Sequence, residues 1–362
     1  MSRNLKNRRS YSSDSIDSES QESVPKHSFK TMNASSNYSI SSTKLAVLLI
    51  LCFQNSVFTV LRRYSQGILK ETYSSYEVLL VGEVIKLVFS SCMIDLPSGN
   101  TRLSRVCYLV RNCMKMGVLA GIYGAMNILS FVALKNIGAG TFTIFAQCKI
   151  LTTASFSAIM LKRSYSWTKW RALLQLMVGV LLFSAHLFDK NTEDDAKEEA
   201  TEVTAATFLG IFAVITEVTL SGFASIYFEK VIKMDSEQLG IWERNFQLAW
   251  TSIPIYIMFI VHNGGGEAGV GGGWSIVAVL LSLLGAAGGL LVALSIKYGD
   301  SILKTLATTG AIILSSLLDH YLLFGPLTFV MVLGGINVVI AICNYTFDAT
   351  PVETIQEKEA KV

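Results

Sequence analysis

Four basic side chains lie inside long apolar stretches, where an unpaired charge is costly. They are Lys86, Lys149, Arg244 and Lys304. A lysine at the centre of a membrane helix costs about 2.5–3.5 kcal/mol on insertion scales, so each needs a partner. Glu83 precedes Lys86 by three residues and shares its helical face, so these two side chains can neutralise each other. Lys149 has no acid within one helical turn, and its partner must come from another helix, from water or from an anionic ligand.

A second polar cluster lies at the junction of two apolar stretches, in the run Ile-Lys-Tyr-Gly-Asp-Ser-Ile-Leu-Lys at residues 296–304. Lys297 and Lys304 are seven residues apart and would share one face of a continuous helix. Two glycines upstream, Gly288 and Gly289, permit close approach of another backbone. The alternative for Lys297 is a long basic side chain that simply reaches the membrane surface.

Other polar residues fall inside the same apolar stretches. The amides and one phenol are Gln54, Asn55, Tyr123, Asn127, Asn245 and Gln247. Amide side chains within membranes commonly join helices through hydrogen bonds. Three further ionisable residues, Glu217, Asp319 and His320, could relay protons or pair with the buried lysines. Because unpaired cationic residues outnumber anionic ones near mid-membrane, the predicted cargo is an organic anion. The sequence contains neither HExxH nor GxSxG, which argues against enzyme chemistry.

The elements that carry these side chains are those of a membrane protein. The chain has 362 residues, of which 51% are hydrophobic and 16% are charged, whereas globular domains average about 25% charged residues. Its mean hydropathy is +0.46. The net charge of only +3 argues against nucleic-acid binding. Six cysteines without CxxC spacing indicate neither a zinc site nor a disulfide framework.

Ten apolar runs are long enough to cross a membrane as helices. They cover residues 45–61, 77–96, 116–134, 137–161, 168–189, 203–227, 239–261, 274–296, 301–323 and 326–347. The tripeptide Val-Ala-Leu at 132–134 recurs at 292–294, and the two blocks of five runs share this offset of about 160 residues. Because five is odd, the second block enters the membrane from the opposite side. The predicted fold is an all-α polytopic membrane protein, with ten transmembrane helices as two inverted five-helix repeats.

The lysine and arginine residues in the loops predict the orientation. Of the 30 basic residues, 20 lie on the side that holds both termini and six on the other, which predicts that both termini are cytosolic. The predicted regions are a disordered serine-rich cytosolic tail at 1–43, a first five-helix half at 44–189, an acidic lumenal loop at 190–202, a second five-helix half at 203–348 and a cytosolic tail at 349–362.

Several short blocks along the chain carry a further signal. They are Phe53-Gln-Asn-Ser, Arg63-Tyr-Ser, Gly82-Glu-Val-Ile-Lys-Leu, Lys149-Ile-Leu-Thr-Thr, Ser221-Gly-Phe-Ala-Ser-Ile-Tyr-Phe-Glu-Lys, Trp242-Glu-Arg-Asn-Phe-Gln-Leu, Gly288-Gly-Leu-Leu-Val-Ala, Ile296-Lys-Tyr-Gly-Asp and Ile302-Leu-Lys. In this order, across residues 44–347, the chain resembles the nucleotide-sugar transporter family, in the branch that holds the UDP-galactose, UDP-N-acetylglucosamine and CMP-sialic acid transporters. Together the blocks are highly specific, although each alone would not be.

This resemblance implies a ten-helix fold of the drug/metabolite transporter type, in Golgi or ER membranes. It implies antiport, in which a cytosolic nucleotide sugar enters the lumen and the nucleoside monophosphate leaves. The sequences at 288–293 and 302–304 resemble those of the UDP-sugar transporters more than those of the CMP-sialic acid transporters. UDP-galactose or UDP-N-acetylglucosamine is therefore the expected cargo. No enzymatic activity, cofactor or metal is expected.

The resemblance also implies a substrate site, transferred motif by motif. Its residues are Glu83, Lys86, Tyr123, Asn127, Lys149, Asn245, Lys297 and Lys304. The lysines would face phosphate groups, while Tyr123 and Asn127 would contact the base or the ribose. Two departures lie near this site. Residues 142–148 lack the tyrosines that family members carry just before the Lys149 position, and Ser301 replaces a usual asparagine.

Other interpretations remain open. A CMP-sialic acid transporter, or an exchanger of another organic anion such as a sugar phosphate, would have the same fold. A membrane glycosyltransferase would need an acidic metal-binding cluster, which only residues 189–202 could offer. The expected partners are the nucleotide sugar, the nucleoside monophosphate and the lipid bilayer, and not nucleic acid. A homo-oligomer and an association with a glycosyltransferase are also open.

Overall fold

The computed structural model describes residues 42–95, 101–137, 139–185, 205–237, 239–263, 269–348 and 353–354. The predicted serine-rich tail up to residue 41, the acidic loop at 190–202 and most of the C-terminal tail at 349–362 lie outside the described residues.

Most of the described residues are helical, because a backbone in lipid must satisfy its hydrogen bonds within one segment. The helices are α1 (Ser42–Arg63), α2 (Ser75–Cys92), α3 (Arg102–Arg111), α4 (Met114–Asn136), α5 (Ala139–Gln147), α6 (Lys149–Met160), α7 (Trp167–Phe183), α8 (Ala205–Met234), α9 (Ile241–Asn263), α10 (Ile276–Tyr298), α11 (Ser301–Leu323) and α12 (Phe329–Thr346). A π-helical turn at Tyr64–Ile68 extends α1. Two short strands, β1 (Arg163–Ser164) and β2 (Glu353–Thr354), pair antiparallel.

Seven helical segments among the described residues are long and apolar enough to cross a membrane. They are Ser42–Ile68, Met114–Asn136, Thr141–Met160, Ala206–Met234, Ile276–Tyr298, Ser301–Leu323 and Phe329–Thr346. This confirms an all-α polytopic membrane protein. Three other helices coincide with predicted spans but are shorter or more charged. Helix α7 has 17 residues, α2 carries Glu77, Glu83 and Lys86, and α9 begins with Glu243 and Arg244.

The predicted span at 137–161 is divided into α5 and α6, which are separated at Cys148. The Cys148 N–H donates to the carbonyl of Phe145, three residues back, at 2.9 Å. This turn is tighter than an α-helical one. Periodicity alone cannot predict such an interruption, because the apolar pattern continues through it. Lys149 consequently follows a one-residue interruption near the middle of the spanning segment Thr141–Met160.

Lys297 and Lys304 would share one face only in a continuous helix, and the helix is interrupted between them. Helix α10 ends at Tyr298, and α11 begins at Ser301. The Asp300 carboxylate accepts a hydrogen bond from the Leu303 N–H at 2.8 Å and caps the new helix. Lys297 therefore belongs to the last turn of α10 and Lys304 to the first turn of α11.

Helix α3 is an additional element in a region that the sequence predicts as a loop. Its ten residues are too few to span a membrane. Leu109 on its inner face is fully buried against Ile94, Leu239 and Phe246. Its outer face exposes Leu103 and other residues. The helix is thus held at one end of the bundle by a small apolar cluster.

The long helices pack in a limited set of pairs. Helix α7 packs along α12, α4 along α8, and α2 along α9. Helix α1 contacts α10 and α11, α6 contacts α8, α10 contacts α2, and α9 contacts α4. Glycines permit close approaches, since small residues let membrane helices come together. A Cβ on Gly334 of α12 would lie only 2.5 Å from the Phe183 nitrogen of α7.

Candidate functional site

Lys149 begins α6 with an exposed side chain, although it belongs to a membrane-spanning segment. Among the described residues, no carboxylate lies within ion-pair distance of its ammonium group. It interacts electrostatically with Glu217 on α8 and with Lys304 on α11. Helices α6, α8 and α11 therefore bring together two cations, Lys149 and Lys304, and one anion, Glu217. The sequence had already identified Lys149 as a candidate site residue.

Hydrogen bonds and close packing fix the backbone around Lys149. The Thr153 hydroxyl donates to the Lys149 carbonyl at 2.7 Å. The Thr152 hydroxyl lies 3.1 Å from the carbonyl oxygens of both Lys149 and Val218. A Cβ on Gly222 would lie 2.7 Å from this hydroxyl, so only glycine allows α8 to approach so closely. The contact holds α6 against the turn of α8 that carries Glu217.

Glu83 and Lys86 form the ion pair that their spacing predicts. The Lys86 ammonium lies 2.7 Å from Glu83 Oε1, and both side chains are mostly buried. At the predicted glycine pair, the atoms that approach closely belong to side chains and not to another backbone. A Cβ on Gly289 of α10 would lie 2.9 Å from Lys86 Cδ, and one on Gly288 would lie 2.7 Å from Gln54 Nε2. The pair is thereby enclosed by α1, α2 and α10.

Two tyrosines lie within electrostatic reach of the Glu83 carboxylate. They are Tyr123 on α4 and Tyr256 on α9. Tyr123 is one of the predicted site residues, and Asn127 follows it by one helical turn and is half-buried. Tyr256 was missed by the sequence reasoning. It follows Pro254 in an apolar run, and no charge or spacing distinguishes it.

The remaining predicted residues, Asn245 and Lys297, make their described contacts with other groups. Asn245 is buried, but its amide donates to the Ile241 carbonyl of its own helix at 3.0 Å. Lys297 is exposed at the end of α10, with its ammonium 5.4 Å from the Tyr298 ring centre. Neither forms a hydrogen bond or ion pair with Lys149 among the described residues. Their place in the site remains a prediction.

Arg244, the fourth basic residue inside an apolar stretch, has partners that explain its burial. It pairs with Asp235 and donates to the side-chain Oε1 of Gln247 at 3.0 Å. Asp235 lies in the loop after α8 and also accepts from Lys115 at 2.6 Å. Burial raises the pKa of Asp235, but the Lys115 hydrogen bond and the Arg244 charge hold it below its usual value. The charge of Arg244 is thus paired with Asp235, while its buried Nε has no hydrogen-bond partner among the described residues.

Glu229 is the centre of a second ionic cluster, which also lies at the end of the bundle where α8 ends. Its side chain is fully buried, with Arg163 at 2.7 Å and Lys233 at 2.9 Å. It also accepts from the Ser301 N–H, at the start of α11, at 2.9 Å. Burial lowers the pKa of Arg163, but the Glu229 and Asp300 charges raise it above its usual value. Glu229 lies in one of the sequence blocks quoted above, but two of its partners, Arg163 and Ser301, are distant in the chain.

Different contacts join the helices at the other end of the bundle. The Glu77 carboxylate accepts from the Gly271 N–H at 2.8 Å and from the Trp274 indole at 2.9 Å. Arg63, whose side chain is half-exposed, pairs with Asp319. An apolar groove of about 480 Å³ lies beside Glu77, between α2 and α9. Its lining includes Val81, Ile260 and Trp274 but none of the predicted site residues.

Comparisons with known proteins identify the family of the chain. A family model described as nucleotide-sugar transporter matches residues 39–346. The chain belongs to the nucleotide-sugar transporter family. It is 33% identical to the human UDP-N-acetylglucosamine transporter over 325 residues, covering 86% of this chain and 97% of that protein. The members of this family are transporters, so the chain is a transporter and not an enzyme, which removes the glycosyltransferase alternative.

Other relatives are transporters of UDP-sugars by name. The UDP-galactose/UDP-N-acetylglucosamine transporter srf-3 of Caenorhabditis elegans is 36% identical, over 86% of this chain and 84% of its own length. The UDP-galactose transporter of Schizosaccharomyces pombe is 31% identical, over 84% and 87%. A crystal structure that is 15% identical has a TM-score of 0.61, over 86% of this chain and all of that one. This last likeness concerns the fold alone.

Proposed function

We propose that this protein is a Golgi antiporter that moves a UDP-sugar, UDP-galactose or UDP-N-acetylglucosamine, into the lumen in exchange for UMP. The observation that carries the proposal is Lys149, an exposed cation within a membrane-spanning segment, close to a second cation, Lys304. A charge at that depth marks a substrate path. The names of the relatives support UDP-sugars as the cargo.

The proposed architecture is ten spans in two inverted halves. The spans of the first half are α1, α2, α4, α5 with α6, and α7, and those of the second are α8 to α12. The helix pairs support this, because exchanging equivalent spans maps each of the main pairs onto another observed pair or onto itself. The pair α4–α8 becomes α10–α1, α6–α8 becomes α11–α1, and α2–α10 becomes α9–α4, while α7–α12 and α2–α9 map onto themselves. Such a repeat places the substrate between the halves.

Within this site, Lys149 and Lys304 bind the phosphate groups, and Lys86 is held for the same purpose by Glu83. Tyr123 and Asn127 contact the base or ribose, and Asn245 and Lys297 complete the site. The two exchanged species carry similar charge, so one cationic site can hold either. Exchange then moves little net charge across the membrane.

Alternating access requires contacts between the halves that open at one end while the other end closes. At one end, Arg163 of the first half binds Glu229 of the second. At the other, Glu77 binds Trp274, and Arg63 pairs with Asp319. These are the contacts that we expect to form and break during transport. The distribution of basic residues supports a cytosolic position for the Glu229 end and both termini, and a lumenal position for residues 190–202.

Reconstituted protein in liposomes preloaded with UMP tests the proposal. Uptake of labelled UDP-galactose, UDP-N-acetylglucosamine and CMP-sialic acid is measured with UMP, CMP, GMP or buffer inside. We expect uptake of a UDP-sugar that internal UMP stimulates. Stimulation by CMP with CMP-sialic acid as cargo would replace the UDP-sugar assignment, and no stimulation by any nucleoside monophosphate would rule out exchange. Uptake of a sugar phosphate that free nucleotides do not inhibit would favour the other anion exchanger.

A further inference from the structure

Glu217 is the ionisable residue beside Lys149 for which the proposed transport mechanism has no role. It lies on α8, where the Ser130 hydroxyl hydrogen-bonds its carboxylate. Its other oxygen, Oε2, is buried, and no described residue hydrogen-bonds it. The adjacent Val218 carbonyl lies 3.1 Å from the Thr152 hydroxyl, one helical turn after Lys149. This contact between α6 and α8 positions the backbone next to Glu217, and with it the Glu217 side chain, beside α6.

The charge of this carboxylate acts on Lys149. Lys149 and Glu217 interact electrostatically, and Lys304 interacts with Lys149. The two lysines and the glutamate together carry a formal charge of +1, whereas the lysines alone would carry +2. An oxygen that is removed from water and from hydrogen-bond donors has a field that is little screened. Glu217 therefore offsets part of the attraction that the lysines exert on a phosphate.

We propose that Glu217 sets the affinity of the site for phosphate, by offsetting one lysine charge so that bound nucleotides are released. This inference rests on the proposed function, since it concerns the same site. A transporter must bind its cargo strongly enough to capture it and weakly enough to let it go. A site of charge +2 facing a nucleotide of charge near −2 would hold it too firmly for rapid exchange. Glu217 weakens the binding of both the UDP-sugar and UMP, in proportion to the charge of each.

The test compares a charged and an uncharged ligand of similar shape. Inhibition constants for UMP and for uridine are measured by displacement of labelled UDP-N-acetylglucosamine from the purified full-length protein. Glu217→Gln removes the charge and retains the shape. We expect the inhibition constant of UMP to fall about tenfold while that of uridine stays unchanged. The maximal rate of exchange in liposomes should fall as well, because release is slower.

Three variants make the result interpretable. Glu217→Asp retains the charge and should keep the wild-type ratio of the two inhibition constants. Thr219→Val changes a neighbouring residue on α8, whose hydroxyl donates only to its own helix at Ile215, and should also keep it. Glu217→Met is a second uncharged variant, to be used if Glu217→Gln does not yield folded protein. An apolar replacement in a membrane helix is expected to insert well.

The outcomes separate this inference from the proposed function. A lower UMP constant in the uncharged variant, with uridine unchanged, supports the role of Glu217. An unchanged ratio of UMP to uridine overturns it, even if wild-type protein exchanges UDP-sugars normally. If wild-type protein binds neither UMP nor any UDP-sugar, the proposed function itself is wrong.

Discussion

The two ends of the helical bundle are closed by different chemistry. At one end, a fully buried carboxylate, Glu229, binds Arg163, Lys233 and the N–H that begins α11. At the other, Glu77 accepts from neutral N–H groups of Gly271 and Trp274. Separation of the first end would remove the cationic partner Arg163 from a fully buried carboxylate. Separation of the other end would remove two N–H donors from the Glu77 carboxylate and break the half-exposed Arg63–Asp319 pair, which costs less. The first end is therefore closed more firmly in this conformation.

This difference bears on the transport cycle. Under the proposed topology the firmly closed end is cytosolic, so the conformation represents a carrier closed toward the cytosol. A second ionic cluster at that end, formed by Lys115, Asp235 and Arg244, adds to the same contrast. Substitutions at each end should therefore differ in their effect on stability.

The largest loss of stability should follow Glu229→Ala. The variant leaves Arg163, Lys233 and the Ser301 N–H without their shared acceptor, which should cost about 3–5 kcal/mol. Thermal unfolding of detergent-solubilised protein measures it. Lys230→Ala changes the exposed neighbour and should have little effect. Equal stability of the two variants would show that the ionic cluster does not hold this end together.

Trp274→Phe should have the next largest effect. It removes the indole N–H from a buried carboxylate, and a hydrogen bond to a charged group is worth about 2 kcal/mol. The matched control is Trp167→Phe, since Trp167 is 74% exposed. Thermal unfolding should show a loss for Trp274→Phe alone. If Trp274→Phe lost as much stability as Glu229→Ala, the two ends would not differ as proposed.

Asp319→Asn should cost less, about 1 kcal/mol or below. Its partner Arg63 is 49% exposed, so water already solvates much of this pair. The variant should instead favour opening at this end, seen as faster labelling of a cysteine placed at Ser65, which is buried there. Unaltered labelling together with a large stability loss would contradict this description of the pair.

The smallest effect concerns pH and the Asp235 cluster. The folded-state pKa of Asp235 lies below its ordinary value of 3.8. The carboxylate therefore contributes stability above about pH 4, and this contribution is lost as pH falls through the folded-state pKa. The difference in unfolding temperature between wild type and Asp235→Asn should shrink below pH 4. A difference that is constant with pH would exclude an ionic origin.

The sequence predicts the helices better than their ends and contacts. Apolar length identifies the long helices, and the spacing of Glu83 and Lys86 predicts their ion pair. The break at Cys148 leaves no trace in the apolar pattern, and α3 is too short and too basic to be distinguished from a loop. Glu229 is 66 residues from Arg163 and 72 from Ser301. Such contacts depend on tertiary packing, which spacing within one helix cannot reveal.

The candidate site divides in the same way. Lys149 and Lys86 were identified because charge inside an apolar run is costly, and this physical rule needs no structure. The packing of α9 against its neighbours explains two contacts that the sequence did not reveal. These are the pair between Arg244 and Asp235 in a loop, and the approach of Tyr256 to Glu83. The family resemblance supplied Tyr123, Asn127 and Asn245, and transport measurements must still establish their roles.

The most direct test of the central claim is UMP-stimulated uptake of UDP-sugar by the Lys149→Ala variant. Lys135→Ala, which alters an exposed lysine at the end of α4, is the matched control. Both proteins should insert and unfold at similar temperatures. We expect Lys149→Ala to abolish uptake, while Lys135→Ala transports like wild type. Wild-type uptake by Lys149→Ala would show that this lysine does not bind the cargo.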